Sequence, residues 1–412
     1  MNDRNIQTIL EITRRLAATT ELDDLLGLVI DTALDLLDAE RASILLYDEA
    51  THEFVSRVAV GEDEIRFPAD RGIAGETIRS GATLNVPDAY ADERFNQDID
   101  KQTGFRTRSI LSVPLTGFDG KLVGVLQVLN KRSGVFSEDD ETLAETFAAQ
   151  AGVSLQRARL MMHYREKLQM ERAMEIAREI QQGLLPKVSP AIPDFELAGM
   201  SEPADHTGGD TFDFIPLPDG QWMLVVADAS GHGIGPALVV AETRAMLRAT
   251  SFDGCQLAQM LETVNDLLSR DLVGRFVTCF VGILDPKTHT ITYASAGHGP
   301  MIFYRYSEDR FDRIIATGIP LGLMEGAEYA ETITHQFEPG DFLAITTDGF
   351  FEAACPEGDL YGVERMIDFM RERRELPAEH MLRRLHDEIS GFIGDQDAQD
   401  DRTGILLRRM RS

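Results

Sequence analysis

Gly208-Gly209-Asp210-Thr211-Phe212-Asp213 and Asp228-Ala229-Ser230-Gly231-His232-Gly233 border two apolar runs, Phe212–Leu217 and Trp222–Ala227, joined through Asp219-Gly220. An Asp-Gly pair between two strand-like runs predicts a β-hairpin. Each bordering segment sets an aspartate beside glycines, where the backbone can turn tightly and approach a ligand closely. Further along, Thr347-Asp348-Gly349 follows the apolar run Phe342–Thr346, and Asp400-Asp401-Arg402-Thr403 precedes Gly404–Leu407. Carboxylates delivered by strand ends suit a hard divalent cation. Several converging on one cleft would hold two ions and activate a water between them.

Taken singly, each aspartate has a structural alternative. Asp228 fits a turn residue capping the helix that begins near Gly235-Pro236, since carboxylates cap helix starts well. Asp210 fits a tight turn. Asp213 lies three residues on, so in a strand it points to the opposite face and is the weaker candidate. Asp400 and Asp401 repel one another unless a cation or solvent intervenes, and only one of them need point inward.

Composition narrows the classes of function. The 412 residues suffice for two domains, and a net charge of −29 argues against a nucleic-acid partner. Most of that charge serves solubility, and part of it concentrates cations near a metal site. The three cysteines, Cys255, Cys279 and Cys355, form no CxxC and fit a reducing cytoplasm. None begins a phosphate loop, which argues against a cysteine phosphatase. No secretion signal is evident at Met1-Asn2-Asp3-Arg4-Asn5, and no apolar run is long enough to span a membrane.

Outward from the aspartates, the fold class reads as α+β in two domains. Residues 1–40 read as two helices, with Thr20 and Asp23 as a capping box for Leu25 to Leu37. Strands are expected at Ala42–Tyr47, Phe54–Val60, Ser109–Leu115 and Leu122–Leu129, around a polar stretch Asp88–Gly104. Ser137 and Asp140 form a second capping box. The helix it opens carries no Pro or Gly from Val153 to Gln182 and stops at Gly183 and Pro186. Met161, Tyr164 and Leu168, then Met170, Met174, Ala177, Gln181 and Leu184, give two heptad-like sets with a shift of register between them. That pattern predicts a helical linker at which two chains dimerise, the alternative being a solvated connector. Beyond Pro193, strands outnumber helices and hairpins recur, which predicts two antiparallel sheets with helices outside. The boundaries are residues 1–154, 155–190 and 191–412.

Together and in this order the motifs carry a resemblance. Residues 180–410 resemble the bacterial PPM-type serine/threonine phosphatases of the SpoIIE- or RsbU-like branch. The matching segments are Ile180 to Pro186, Gly208-Gly209-Asp210 with Asp213, Asp228 to Gly233, Ala296-Gly297-His298-Gly299-Pro300, Pro320-Leu321-Gly322, Thr347-Asp348-Gly349 and Asp400 to Thr403. The resemblance implies an α-β-β-α sandwich with two Mn²⁺ or Mg²⁺ ions. Asp228 would bridge both ions, Asp210 and the carbonyl of Ala229 would serve one, and Asp348 and Asp400 the other. Asp228 and Asp210 are thus the implied catalytic residues. The implied reaction is in-line attack of a metal-activated water on phosphoserine or phosphothreonine. The substrate would be a bacterial signalling protein, an anti-sigma-factor antagonist in the first place. His232 and His298 are candidate donors to the leaving oxygen, with turn histidines as the alternative. The family's Val and aromatic positions hold Ala229, Thr211 and Phe212 here. No match to the phosphate-holding arginine of the eukaryotic relatives is present.

Residues 20–155 resemble a GAF domain. Asn130, Lys131, Phe136, Asp140 and Glu141 match the signature of GAF domains that bind cyclic nucleotides. The alternatives are another small ligand, a module that only dimerises, and a structural Lys131–Asp140 contact that pins the last strand to the exit helix. The expected whole is a cytoplasmic, dimeric phosphatase gated by its GAF domain, with a linker shift repositioning Asp210 or Asp228. The competing expectation is a ligand-gated scaffold that binds a partner without turnover.

Overall fold

The structure is a computed structural model that describes residues 3–56, 65–97, 100–101, 104–231, 233–251, 256–272, 274–329 and 331–411. The chain forms two compact units, Met1–Met170 and Glu171–Ser412.

In the first unit, helices α1 (Asp3–Ala18) and α2 (Leu22–Leu37) precede strands β1 (Ala39–Asp48), β2 (Glu53–Ser56) and β3 (Ile65–Pro68). Helix α3 (Gly72–Ser80), strands β4 (Leu84–Val86), β5 (Ile110–Thr116) and β6 (Leu122–Lys131), and helix α4 (Glu138–Leu184) follow. The antiparallel sheet runs β3-β2-β1-β6-β5-β4. Alternation along its strands gives it two apolar faces. Leu111, Val113, Leu126 and Val128 pack with Leu25, Val29 and Ala33 of α2 and with Phe147, Ala148 and Leu155 of α4. Leu45, Phe54 and Val125 pack on the other face with Ala69 and Ala74. Helix α4 lies so close to β5 that a Cβ on Gly152 would sit 2.4 Å from the Thr116 carbonyl oxygen.

Ser137 and Asp140 do cap α4. Asp140 accepts from the Ser137 amide at 2.8 Å, and Ser137 Oγ accepts from the Asp140 amide at 3.3 Å. The Thr20–Asp23 box does not form. Helix α2 starts at Leu22 with Glu21 in the cap position and no side-chain cap. Asp23 is already in the first turn, where it favours the helix through the macrodipole instead. The strand expected to reach Val60 is described only to Ser56; the rest of it lies outside the described residues.

The second unit holds two five-stranded antiparallel sheets. Its strands are β7 (Phe195–Glu202), β8 (Asp210–Pro216), β9 (Trp222–Ala229), β10 (Val277–Asp285), β11 (Thr290–Ala296), β12 (Met301–Arg305), β13 (Arg310–Ile314), β14 (Ile333–Gln336), β15 (Phe342–Thr346) and β16 (Arg402–Arg409). One sheet runs β14-β11-β10-β9-β8, the other β13-β12-β15-β16-β7. Their facing sides share Phe212, Phe214, Val226 and Phe280 from the first and Phe303, Leu343, Ile345 and Ile405 from the second. Helices α5 (Ile234–Thr250) and α6 (Leu257–Asp271) cover the outer face of the first sheet through Val239, Val240, Leu261 and Val264. Helices α7 (Gly362–Glu372) and α8 (Ala378–Ile393) cover the second through Met366, Met370, Leu382 and Leu385. The unit is an α-β-β-α sandwich. Strands β13 and β14, absent from the sequence reading, are the polar edges of the two sheets.

Candidate metal centre

The register of the first sheet sets Asp210 of β8 opposite Asp228 of β9, and Thr278 of β10 opposite Asp228 on its other side. Residues directly opposite in an antiparallel pair share a face with Cβ atoms about 5 Å apart. That face is the one turned toward the second sheet. Asp213 points the other way, fully buried, with one oxygen 2.9 Å from Arg244 and the other 2.8 Å from an Arg248 nitrogen. It is a strut between β8 and α5 and takes no part in the acidic cluster.

The second sheet contributes from β15 and β16. The Thr347 amide donates to the Thr403 carbonyl at 2.9 Å, and Asp348 opens a one-turn helix immediately after. A Cβ on Gly349 would fall 2.0 Å from the Asp401 carbonyl oxygen, so a side chain there would force the two segments apart. Thr347 Oγ1 donates to Asp210 Oδ2 at 2.8 Å, a link between the sheets that the sequence reading missed. Of the acidic pair, Asp401 is buried; it accepts from the Ala204 amide at 2.8 Å and from the Gly209 amide. Asp400 is exposed and accepts from the Asp401 amide at 2.8 Å. Ala229 donates its amide to the Gly209 carbonyl at 2.9 Å, and its own carbonyl oxygen lies 2.7 Å from where a Gly209 Cβ would stand.

These carboxylates raise one another's proton affinity. Burial, then the charges of Asp348, Asp400 and Asp401, push Asp228 up to about 7. Burial, then Asp400 and Glu352, push Asp348 up to about 6. Asp210 is held well above the carboxylate range by burial and by Asp228 and Asp401, against its Thr347 hydrogen bond. Asp401 is raised by burial, against the pull of the Ala204 and Gly209 amides. No lysine or arginine figures among the principal influences on any of the four. An all-oxygen set of uncompensated acids fits a hard divalent cation. Among the described residues, no three His, Cys, Asp or Glu side chains close to coordination distance.

Two further residues reach the cluster's surroundings. Gln181, near the end of α4, clasps the backbone of Gly208: its Nε2 donates to the carbonyl, and its Oε1 accepts from the amide at 3.0 Å. His298 is buried, with Nδ1 3.1 Å from Thr278 Oγ1. His232 lies outside the described residues, as does Cys255.

The GAF signature is occupied by internal contacts. Asn130, buried and at a φ of 57°, accepts from the Arg108 amide at 2.6 Å and donates to Glu40 at 2.8 Å. Lys131 pairs with Asp140 at 2.7 Å and lies over the Phe136 ring. Glu141 accepts from Asn85 at 2.7 Å. The Lys131 contact ties β6 to the start of α4, Asn130 ties it to β1, and Glu141 ties α4 to β4.

Comparison with known proteins agrees with this division. The family described as Stage II sporulation protein E (SpoIIE) matches residues 218–410, and the GAF domain family matches residues 21–155. The chain therefore carries a GAF domain and a SpoIIE-type domain with the PP2C phosphatase fold. That fold is shared with the SiaA-PP2C domain of Pseudomonas aeruginosa, which is 20% identical with a TM-score of 0.52 over 59% of this chain and 97% of that one. A probable 3',5'-cyclic phosphodiesterase, pde-5, of Caenorhabditis elegans is 36% identical over 170 residues, covering 38% of this chain and 23% of that protein. The dual 3',5'-cyclic-AMP and -GMP phosphodiesterase 11A of Takifugu rubripes is 30% identical over 180 residues, covering 40% of this chain and 20% of that protein. The chain thus spans less than a quarter of the length of these curated relatives. Among the described residues no helix is long and apolar enough to cross a membrane.

The raised acids set a pH dependence. A carboxylate whose folded pKa exceeds its unfolded value binds its proton more tightly when folded, so stability is lost as pH rises through the folded value. Without divalent cation, the melting temperature of the second unit should fall between about pH 4 and pH 7, the window from the ordinary carboxylate value to that of Asp228. Added Mn²⁺ should raise it most at the alkaline end of that window. Scanning calorimetry in a chelating buffer and then in Mn²⁺ checks both signs; a flat apo profile would mean that the acids are not strained.

Proposed function

We propose that this chain is a metal-dependent protein serine/threonine phosphatase regulated through its GAF domain. The observation that carries the reading is the convergence of Asp210, Asp228 and Asp348 from two facing sheets, with Asp400 acting on Asp228 and Asp348 and no lysine or arginine of the described residues among the largest influences on the three. Two Mn²⁺ or Mg²⁺ ions, when bound, would lower the pKa of a water and neutralise phosphoryl oxygens. Asp228 and Asp210 would hold them from the first sheet together with the Ala229 carbonyl, Asp348 and Asp400 from the second. Thr347 orients Asp210 by donating to one of its oxygens. Asp401 keeps the Gly208-Gly209 turn closed over the cluster through its backbone hydrogen bonds. The family resemblance points to a phosphorylated bacterial signalling protein, an anti-sigma-factor antagonist first, as substrate and to the cytoplasm as its place.

The competing reading, a scaffold without turnover, draws on the described acids not closing into a three-donor set. Phosphate release from a phosphoserine peptide decides between them. Wild type should turn over only with Mn²⁺ or Mg²⁺, and Asp228→Asn should abolish it. Equal rates with and without metal, or in the variant, would refute the assignment.

The linker is proposed to couple regulation to the centre. Gln181 holds Gly208, whose neighbour Gly209 donates to Asp401, so the end of α4 is two contacts from the acids. Leu160, Tyr164, Met170 and Ile176 are exposed apolar side chains on the same helix and support dimerisation there. Inserting two residues after Leu168 should change basal and regulated turnover and weaken the dimer in sedimentation velocity. Unchanged rates would exclude the coupling.

A small-molecule ligand is proposed for the GAF domain, with cyclic nucleotides the class to test because of the likeness to the two phosphodiesterases. Calorimetric titration of the full chain with cyclic GMP and cyclic AMP should show saturable binding to one of them. Heat of dilution alone for both would remove that class.

A further inference from the structure

His298 is engaged on one side and orphaned on the other. Its side chain is buried between the sheets of the second unit. Nδ1 meets Thr278 Oγ1 at 3.1 Å, and Ser295 Oγ fixes its backbone by donating to the His298 carbonyl at 2.6 Å. Nε2 is buried and has no hydrogen-bond partner among the described residues. The backbone of Thr346 faces the ring and favours its protonated form, while burial outweighs it and pushes the imidazole down to about 4. The ring is therefore neutral at physiological pH, with one nitrogen able to accept and the other to donate.

The two residues it lies between are placed tellingly. Thr278 stands opposite Asp228 across the β9–β10 ladder, on the same face. Thr346 ends β15, next to Thr347, which bonds Asp210, and two residues before Asp348. One imidazole thus spans from the neighbour of the first sheet's central acid to the strand that delivers the second sheet's acid. Leu or Phe would fill a similar volume and would not make the Thr278 contact.

We propose that His298 is a positioning residue for the metal centre: bonded to Thr278 and packed in the buried space beside the end of β15, it sets the separation of the sheet that carries Asp210 and Asp228 from the strand end that carries Asp348. This role rests on the phosphatase reading above. It differs from donation to a leaving group, because the ring acts through its neighbours and touches no substrate.

The test titrates Mn²⁺ into the metal-stripped full chain by calorimetry, alongside melting curves and phosphate release at saturating Mn²⁺. His298→Leu should weaken Mn²⁺ binding about tenfold, the scale on which outer partners of metal ligands act. Its turnover at saturating Mn²⁺ should stay within a few-fold of wild type. Thr278→Val, which leaves the ring in place, should shift binding the same way by less and carries the test if His298→Leu does not fold. His298→Asn, which restores a polar atom near the Nδ1 position, should recover part of the affinity. Variants that melt earlier yet bind Mn²⁺ as wild type does would show that His298 only packs, and would overturn the proposal. Asp228→Asn separates the two levels of failure. If it loses Mn²⁺ binding while the His298 variants keep theirs, the positioning role alone is wrong. If wild type takes up no Mn²⁺, or Asp228→Asn binds equally well, the phosphatase reading falls and this role with it.

Discussion

Like charges do not gather in a protein interior without something to hold them there. In this chain Asp210 and Asp401 are buried with Asp228 half-buried beside them, and Asp348 and Asp400 act on Asp228 from close by. The work of keeping them together falls on the sandwich. Aromatic and aliphatic residues from Phe212 to Ile405 lock the facing sheets below the acids. At the rim, contacts such as Thr347 to Asp210 stitch one sheet to the other. Preorganisation of this sort places the strain in the resting protein, where under the proposed function a bound cation would relieve it.

The same strand shows how one parity separates chemistry from support. Asp210 and Asp213 are three residues apart on β8, so one turns to the cluster and the other to α5. Asp213 meets two arginines, Arg244 and Arg248, and is an ordinary buried ion pair with its partners. Asp210 meets other acids. Burial and residue type are alike, and only the surroundings make one of them strained. In the GAF domain the signature residues from Asn130 to Glu141 are likewise engaged within the fold, Lys131 with Asp140, Asn130 with Glu40 and Glu141 with Asn85.

Much of this was legible in the sequence, for reasons that can be named. Asp210, Asp228 and Asp348 stood out because glycine turns and apolar runs bracket them, and Asp213 could be set apart by counting residues along a strand. The Ser137–Asp140 cap was readable because both partners lie within one turn. Contacts remote in sequence were not readable. Which of Asp400 and Asp401 turns inward depends on amides at Ala204 and Gly209, nearly two hundred residues earlier. Thr347 read only as the residue after an apolar run until β8 was placed beside it, and Gln181 only as one position of a heptad-like set until Gly208 came within reach. The short elements Gly72–Ser80 and Leu84–Val86 carry too few residues to show a period.

Strand order has a consequence for how the protein is made. β16, residues Arg402–Arg409, is an interior strand of its sheet, flanked by β15 on one side and β7 on the other. Among the described residues β7 is the unit's earliest strand, and in that sheet it pairs only with β16. During synthesis, then, β7 waits without a partner while some two hundred residues emerge, and the acids cannot be brought to one place until Arg409 has cleared the ribosome. A nascent chain stalled short of that point would display an open sheet edge and no centre.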